Sequence, residues 1–235
     1  MKSILIFMFG VSVTVFASDF PRVDQDLAEY CAKSASLRTE INKYKEDPSD
    51  KFWITLKIDN MFQLDQLMRN TLINLPSDHT YIPEEEKYFQ KKLWKYCGDI
   101  DLENTAVLKV YLKIYKWFRI SEFGEMTDNQ AWVIVQHADF DPDFQKEIVS
   151  ILAELYKLNE TTPTNYAYLF DRVAASGSDP SKRTLQRYGT QGLCVGPGKW
   201  EPIPTEEPIK LDERRAGVGL PPIAEYIGHL SKYCK

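Results

Sequence analysis

Histidine is scarce in this chain, with three in 235 residues, and lysine and arginine are nowhere gathered into a basic tract. The first scarcity leaves little material for a histidine-rich metal centre. The second, with a formal charge of −5, removes the electrostatic footprint of a nucleic-acid partner. No GxSxG elbow, P-loop, dinucleotide-binding glycine pattern, HExxH or EF-hand occurs, so several large enzyme classes lose their signature and no cofactor is expected. Beyond the first residues no apolar run is long enough to cross a bilayer, so no stable membrane span is expected. The four cysteines contain no CxxC, which argues against a thiol redox centre or a zinc ribbon.

What is present suits a folded protein: 43% of residues are hydrophobic and 13% aromatic, enough to build a core at this length. The opening "MKSILIFMFGVSVTVFASDF" reads as an export signal over residues 1–17. Lys2 supplies its positive end, Ile4 to Phe16 its apolar stretch, and Ala17 a small residue at the cleavage point. The competing reading is a buried N-terminal strand. Export places the chain in the periplasm or the secreted space. There an even number of cysteines points to disulfides among Cys31, Cys97, Cys194 and Cys234, with three pairings open. Cys31–Cys97 with Cys194–Cys234 is the pairing that staples each end separately.

The spacing predicts a mainly α (α+β) fold: one helical domain with a C-terminal β-hairpin and an irregular Gly/Pro-rich segment. Ile54, Ile58, Met61, Leu64, Met68 and Leu72 follow a three-or-four-residue step. Pro83 and Glu84–Glu86 start a helix that Gly98 can end. From Leu102 to Phe118 the apolar density rises, and Lys109, Lys113 and Lys116 read as one narrow solvated stripe on an otherwise buried helix. Asp128 or Asn129 can cap a helix ending at His137, Asp141 the next, and Thr162-Pro163 another. Leu185–Val195, the "GPGK" turn and Trp200–Ile203 look like a hairpin. Asp212 caps a short turn carrying Arg214 and Arg215, and Ile223 to Leu230 form a last helix.

The densest polar chemistry lies in "VIVQHADFDPDFQKEIV", where a buried run feeds a histidine and three aspartates. Asp141 and Asp143 have ordinary work at a helix start. His137, at a helix end beside Asp139, has the makings of an oriented general acid/base or of a structural clamp. A metal held by His137, Asp139 and Asp141 lacks a second nearby histidine, since His79 and His229 are remote in sequence, and none is expected. Later groups extend the cluster. Asp171 and Arg172 project from the flanks of a helix, Tyr188 and Gln191 line a pocket beside Gly189, and Arg214 and Arg215 hold an anion by bidentate bonds. In the alternative, the arginines pair with Asp171, Asp212 or Glu213 and pin the irregular segment.

"QHADFDPDFQ", "NYAYLFDRV", "YGTQ" and "DERRAGVGLPPIAEY", in that order, resemble the motifs of a bacterial family known only as a domain of unknown function. The resemblance runs from Asp128 to Tyr226. It implies functional positions at His137, Asp139, Asp141, Pro142, Gln145, Asp171, Arg172, Tyr188, Gly189, Gln191, Asp212, Arg214 and Arg215, and no established reaction. With the export signal (1–17) read from the opening residues, the resemblance sets an N-terminal helical region (18–127) outside it and a family-like domain (128–235) within it.

Two functions fit. One is an exported hydrolase or group transferase with His137 as general acid/base, Asp139 as its orienting partner, and Asp171, Arg172, Tyr188, Gln191, Arg214 and Arg215 around the substrate. The other is a non-catalytic envelope or secreted binding protein, for a small anionic ligand or a protein partner, whose Asp/Arg cluster is structural. A monomer is expected in either case.

Overall fold

The computed structural model describes residues 19–73, 81–176 and 183–235, and of residues 1–18 only the backbone of Leu5–Met8 (β1) and Val11–Thr14 (β2), an antiparallel pair. The expected signal peptide therefore lies largely outside the described residues. The fold is mainly α. Among the described residues it contains the helices Pro21–Glu40 (α1), Lys51–Ile73 (α2), Pro83–Tyr115 (α3), Ile120–Gln136 (α4), Pro142–Leu155 (α5), Pro163–Ala175 (α6), Leu211–Ala216 (α7) and Ile223–Ser231 (α8). A hairpin of Gly192–Gly196 (β3) and Lys199–Pro202 (β4) precedes α7. No described helix is long and apolar enough to cross a membrane.

Helix starts follow proline chemistry, with prolines in the first turn of α1, α5 and α6. Two boundaries differ from expectation. Gly98 lies inside α3 rather than at its end. Its cost of about 1 kcal/mol is outweighed because the buried positions continue past it through Ile100, Asn104, Leu108 and Tyr111. Helix α4 begins at Ile120, ten residues before the expected Gln130, and bends at Gly124, whose φ of 81° departs from the helix. Asp128 thus lies within α4 and caps something else.

The chain forms two compact units. The first comprises residues up to Lys45 and Gln63–Ile100. Its core is Val23, Leu27, Leu64, Met68, Phe89, Leu93, Cys97 and Ile100. At its rim the Tyr88 hydroxyl donates to Asp24 (3.0 Å), and the Tyr81 hydroxyl donates to Asp26. No bond joins Cys31, which is exposed, to Cys97, which is buried.

The second unit comprises Glu46–Phe62 and Asp101–Lys235. Its larger core draws on Trp53, Ile54, Leu108, Trp117, Phe118, Ile134, Ile148, Leu152 and Leu169, and α5 packs chiefly on α6. The hairpin is shorter than expected: residues 185–191 form an irregular loop, in which Gln186 makes an isolated bridge to Thr205. Gly192 opens β3 because a Cβ there would come within 2.3 Å of the Trp200 ring and of the Glu201 carbonyl. Trp200 meets Tyr226 of α8 edge-on at 5.6 Å, and Cys194 is bonded to Cys234 beyond α8. Such cross-links persist in oxidising compartments.

Candidate functional site

The polar residues chosen from sequence separate into two clusters of different character. The first lies at the α4–α5 junction. His137 is the half-buried C-cap of α4. Asp141 caps α5 as expected, accepting from the Phe144 amide at 3.1 Å, and its other oxygen accepts from Lys109. Lys109 holds the Asp141 carboxyl below the usual range. Asp139 is the hub: Arg172 grips it with two bonds of 2.8 and 2.6 Å, and the Gln145 amide adds one at 3.2 Å. Desolvation would raise this carboxyl, but Arg172, Gln145 and the charge of His137 outweigh it, and the net shift is downward. Gln145 is fully buried and also donates to the carbonyls of Val135 and Gln136, closing the last turn of α4.

The second cluster is interior. Asp171 does not project from a flank of α6; it is completely buried. One of its oxygens accepts from the Arg187 and Tyr188 amides (2.8 and 3.1 Å). The other accepts from the Thr190 amide and hydroxyl (2.8 and 3.0 Å). Burial raises this carboxyl, and those donors only partly pull it back. The loop it clamps turns at Gly189, where φ is +66° and a Cβ would crowd Ile223 and Thr205 at 3.3 Å. Tyr188 stands edge-on to Tyr166 and Phe170 within the core, and burial drives its phenol upward. Gln191 is tied through its backbone to the Gln186 side chain, donating to it at 2.7 Å and accepting from it at 2.9 Å.

Among the described residues neither arginine of α7 forms an ion pair; both donate to main-chain carbonyls. Arg214 donates to the carbonyls of Arg187 (2.8 Å), Glu207 (3.3 Å) and Glu206. Arg215 is fully buried, donates to Pro221 and Tyr188 (both 2.6 Å), and lies over the Tyr226 ring at 4.8 Å. Its Nη2 has no hydrogen-bond partner among the described residues, and desolvation lowers its pKa against the pull of nearby tyrosines, Asp212 and Asp171. Asp212 caps α8 through the Ile223 amide (2.7 Å) rather than its own short helix. The sequence left an anion clamp and a salt bridge open for these arginines; in the structure their hydrogen bonds among the described residues are to main-chain carbonyls.

A third polar centre escaped sequence reasoning. Asp128, fully buried, accepts from Trp117 Nε1 (2.6 Å), Thr161 (2.7 Å), the Thr162 amide (3.1 Å) and Asn165 (3.0 Å), so it satisfies the start of α6. Burial raises it too. The cap of a helix more than thirty residues away leaves no local pattern. The same holds for Gln186, whose amide bridges the Gln191 and Ile203 carbonyls.

An open concavity lies elsewhere among the described residues. A groove of about 370 Å³ between α3 and α5 is lined by Lys109, Lys113, Lys116, Asp141, Asp143 and Glu147 over Leu112, Phe144, Ile148 and Ile151. Asp171, Tyr188, Arg214 and Arg215 do not line it. Against known proteins, residues 61–234 match the profile of a family of unknown function, DUF6624. The chain belongs to this family. Membership extends well upstream of Asp128, so α3, α4 and part of α2 are DUF6624 structure rather than an addition to it. No curated protein and no solved structure matches the chain.

Proposed function

We propose that this DUF6624 protein is a non-catalytic binding protein of an exported compartment, and that its Asp/Arg cluster is an internal clamp. One observation carries the reading: Asp171 is completely buried with both oxygens filled by the loop it organises. Arg214 and Arg215 spend their donors on carbonyls of the same segment. Groups committed in this way hold a fold and have no geometry left for a substrate. Export is supported by the apolar opening behind Lys2 and by the Cys194–Cys234 bond.

The competing reading, a hydrolase or group transferase, needs Asp139 to orient His137. Arg172 occupies both Asp139 oxygens and Gln145 shares one, which weighs against it. A panel of chromogenic esters, phosphoesters and glycosides, assayed with the wild type and with His137→Gln, separates the two. The expected result is no turnover that the substitution changes. Turnover by the wild type that disappears in a folded His137→Gln protein overturns the proposal.

A further inference from the structure

The lysines that the sequence suggests as a solvated stripe form one wall of the groove between α3 and α5. Lys109, Lys113 and Lys116 recur every three or four residues and line it together. The helix is not otherwise buried, since Val110 and Ile114 beside them are exposed. The other wall carries Asp141, Asp143 and Glu147, and the floor is apolar.

These charges are not used alike. Lys109 binds Asp141 and lies over the Phe144 ring at 4.8 Å, which ties the two walls together where α5 begins. Asp143 pairs with Lys146 at 3.0 Å, near solvent. Lys113, Lys116 and Glu147 make no ion pair and no side-chain hydrogen bond among the described residues, although all three line the groove. Lys116 does so from a left-handed backbone, φ 62°, just past the end of α3, where glycine fits more easily. Two unpaired cations on one wall and an unpaired carboxylate on the other suit a ligand that carries both charges on an apolar body. A plain anion would bring its charge near Glu147, and a plain cation would face two lysines; like charges set together oppose binding.

We propose that this groove binds a short apolar peptide with free ends, its carboxylate held by Lys113 and Lys116, its ammonium by Glu147, and its side chains resting on Ile148 and Ile151. The inference rests on the binding-protein reading above and gives it a ligand class. At about 370 Å³ the groove is small for a ligand site, and its free charges are exposed, so dissociation on the order of millimolar is expected.

Titration of leucyl-leucine into the isotope-labelled whole chain, followed by amide NMR, tests it. Saturable shifts are expected around Lys113, Lys116 and Glu147. Lys113→Gln combined with Lys116→Gln should weaken binding about fivefold or more, and Glu147→Gln about threefold. All three residues are exposed, so the variants should keep the wild-type melting temperature. N-acetyl-leucyl-leucine, which lacks the ammonium, should bind the wild type more weakly and lose nothing further from Glu147→Gln. Intact leucyl-leucine that shifts no groove amide overturns the inference. So does an acetylated peptide that binds equally well, or binding that the variants leave unchanged. Leucyl-leucine split into leucine in the same samples overturns the non-catalytic reading instead.

Discussion

Asp139 with Arg172 and Asp171 with Arg215 use the same two side-chain types in opposite ways, although residues 171 and 172 are neighbours on α6. The outer pair is a direct bidentate ion pair near solvent, and its carboxyl is pulled below the usual range. The inner two are both completely buried, each is satisfied mainly by backbone, and burial works against the charge of both. The outer pair joins two helices through side chains. The inner groups replace missing secondary structure: among the described residues the amides and carbonyls of 187–190 join no strand ladder, and Asp171, Arg214 and Arg215 stand in for one.

The contrast is tested most severely by Asp171→Ala, which orphans the buried amides of Arg187, Tyr188 and Thr190. At about 1–3 kcal/mol for each unsatisfied group, a loss of about 4 kcal/mol is expected in chemical denaturation. Arg172→Ala should cost only about 0.5 kcal/mol, because its partner is largely solvated. Equal losses would erase the distinction. Arg215→Met should fall between them, at about 1–2 kcal/mol, since it frees two carbonyls but also removes a buried cation with one unpartnered nitrogen.

The smallest effect is in pH dependence, and its sign differs between the two carboxyls. Asp139 is lowered on folding, so its stabilisation is present above the unfolded carboxylate value and is lost as pH falls through the folded one. Asp171 is raised, so its contribution is complete below the unfolded value and is lost as pH rises through the folded one. Carboxyl-carbon NMR titration should place the two on opposite sides of a normal aspartate. Arg172→Ala should move Asp139 upward and leave Asp171 unchanged.

Much of the fold was legible in the sequence. The apolar step of α2, the proline starts of α5 and α6, the Asp141 cap and the "GPGK" turn are local signals, and local physics decides them. The unbroken α3 was not legible, because a glycine's cost is visible in sequence while the packing that offsets it is not. The polar residues themselves were picked out, and their orientation was not. Adjacent residues on a helix point about 100° apart, so Asp171 and Arg172 looked alike and ended on opposite sides of the protein boundary. Asp128 and Gln186 serve backbone groups distant along the chain or in irregular loops, which no periodicity records.

The bond between Cys194 and Cys234 closes a ring of chain around β4, α7 and α8. One proteolytic nick inside that ring releases nothing: the two fragments migrate together in electrophoresis until a thiol is added. Damage of that kind would leave the carbonyl-binding arginines tethered beside the loop they hold, able to dock again. A reducing environment would remove that second chance.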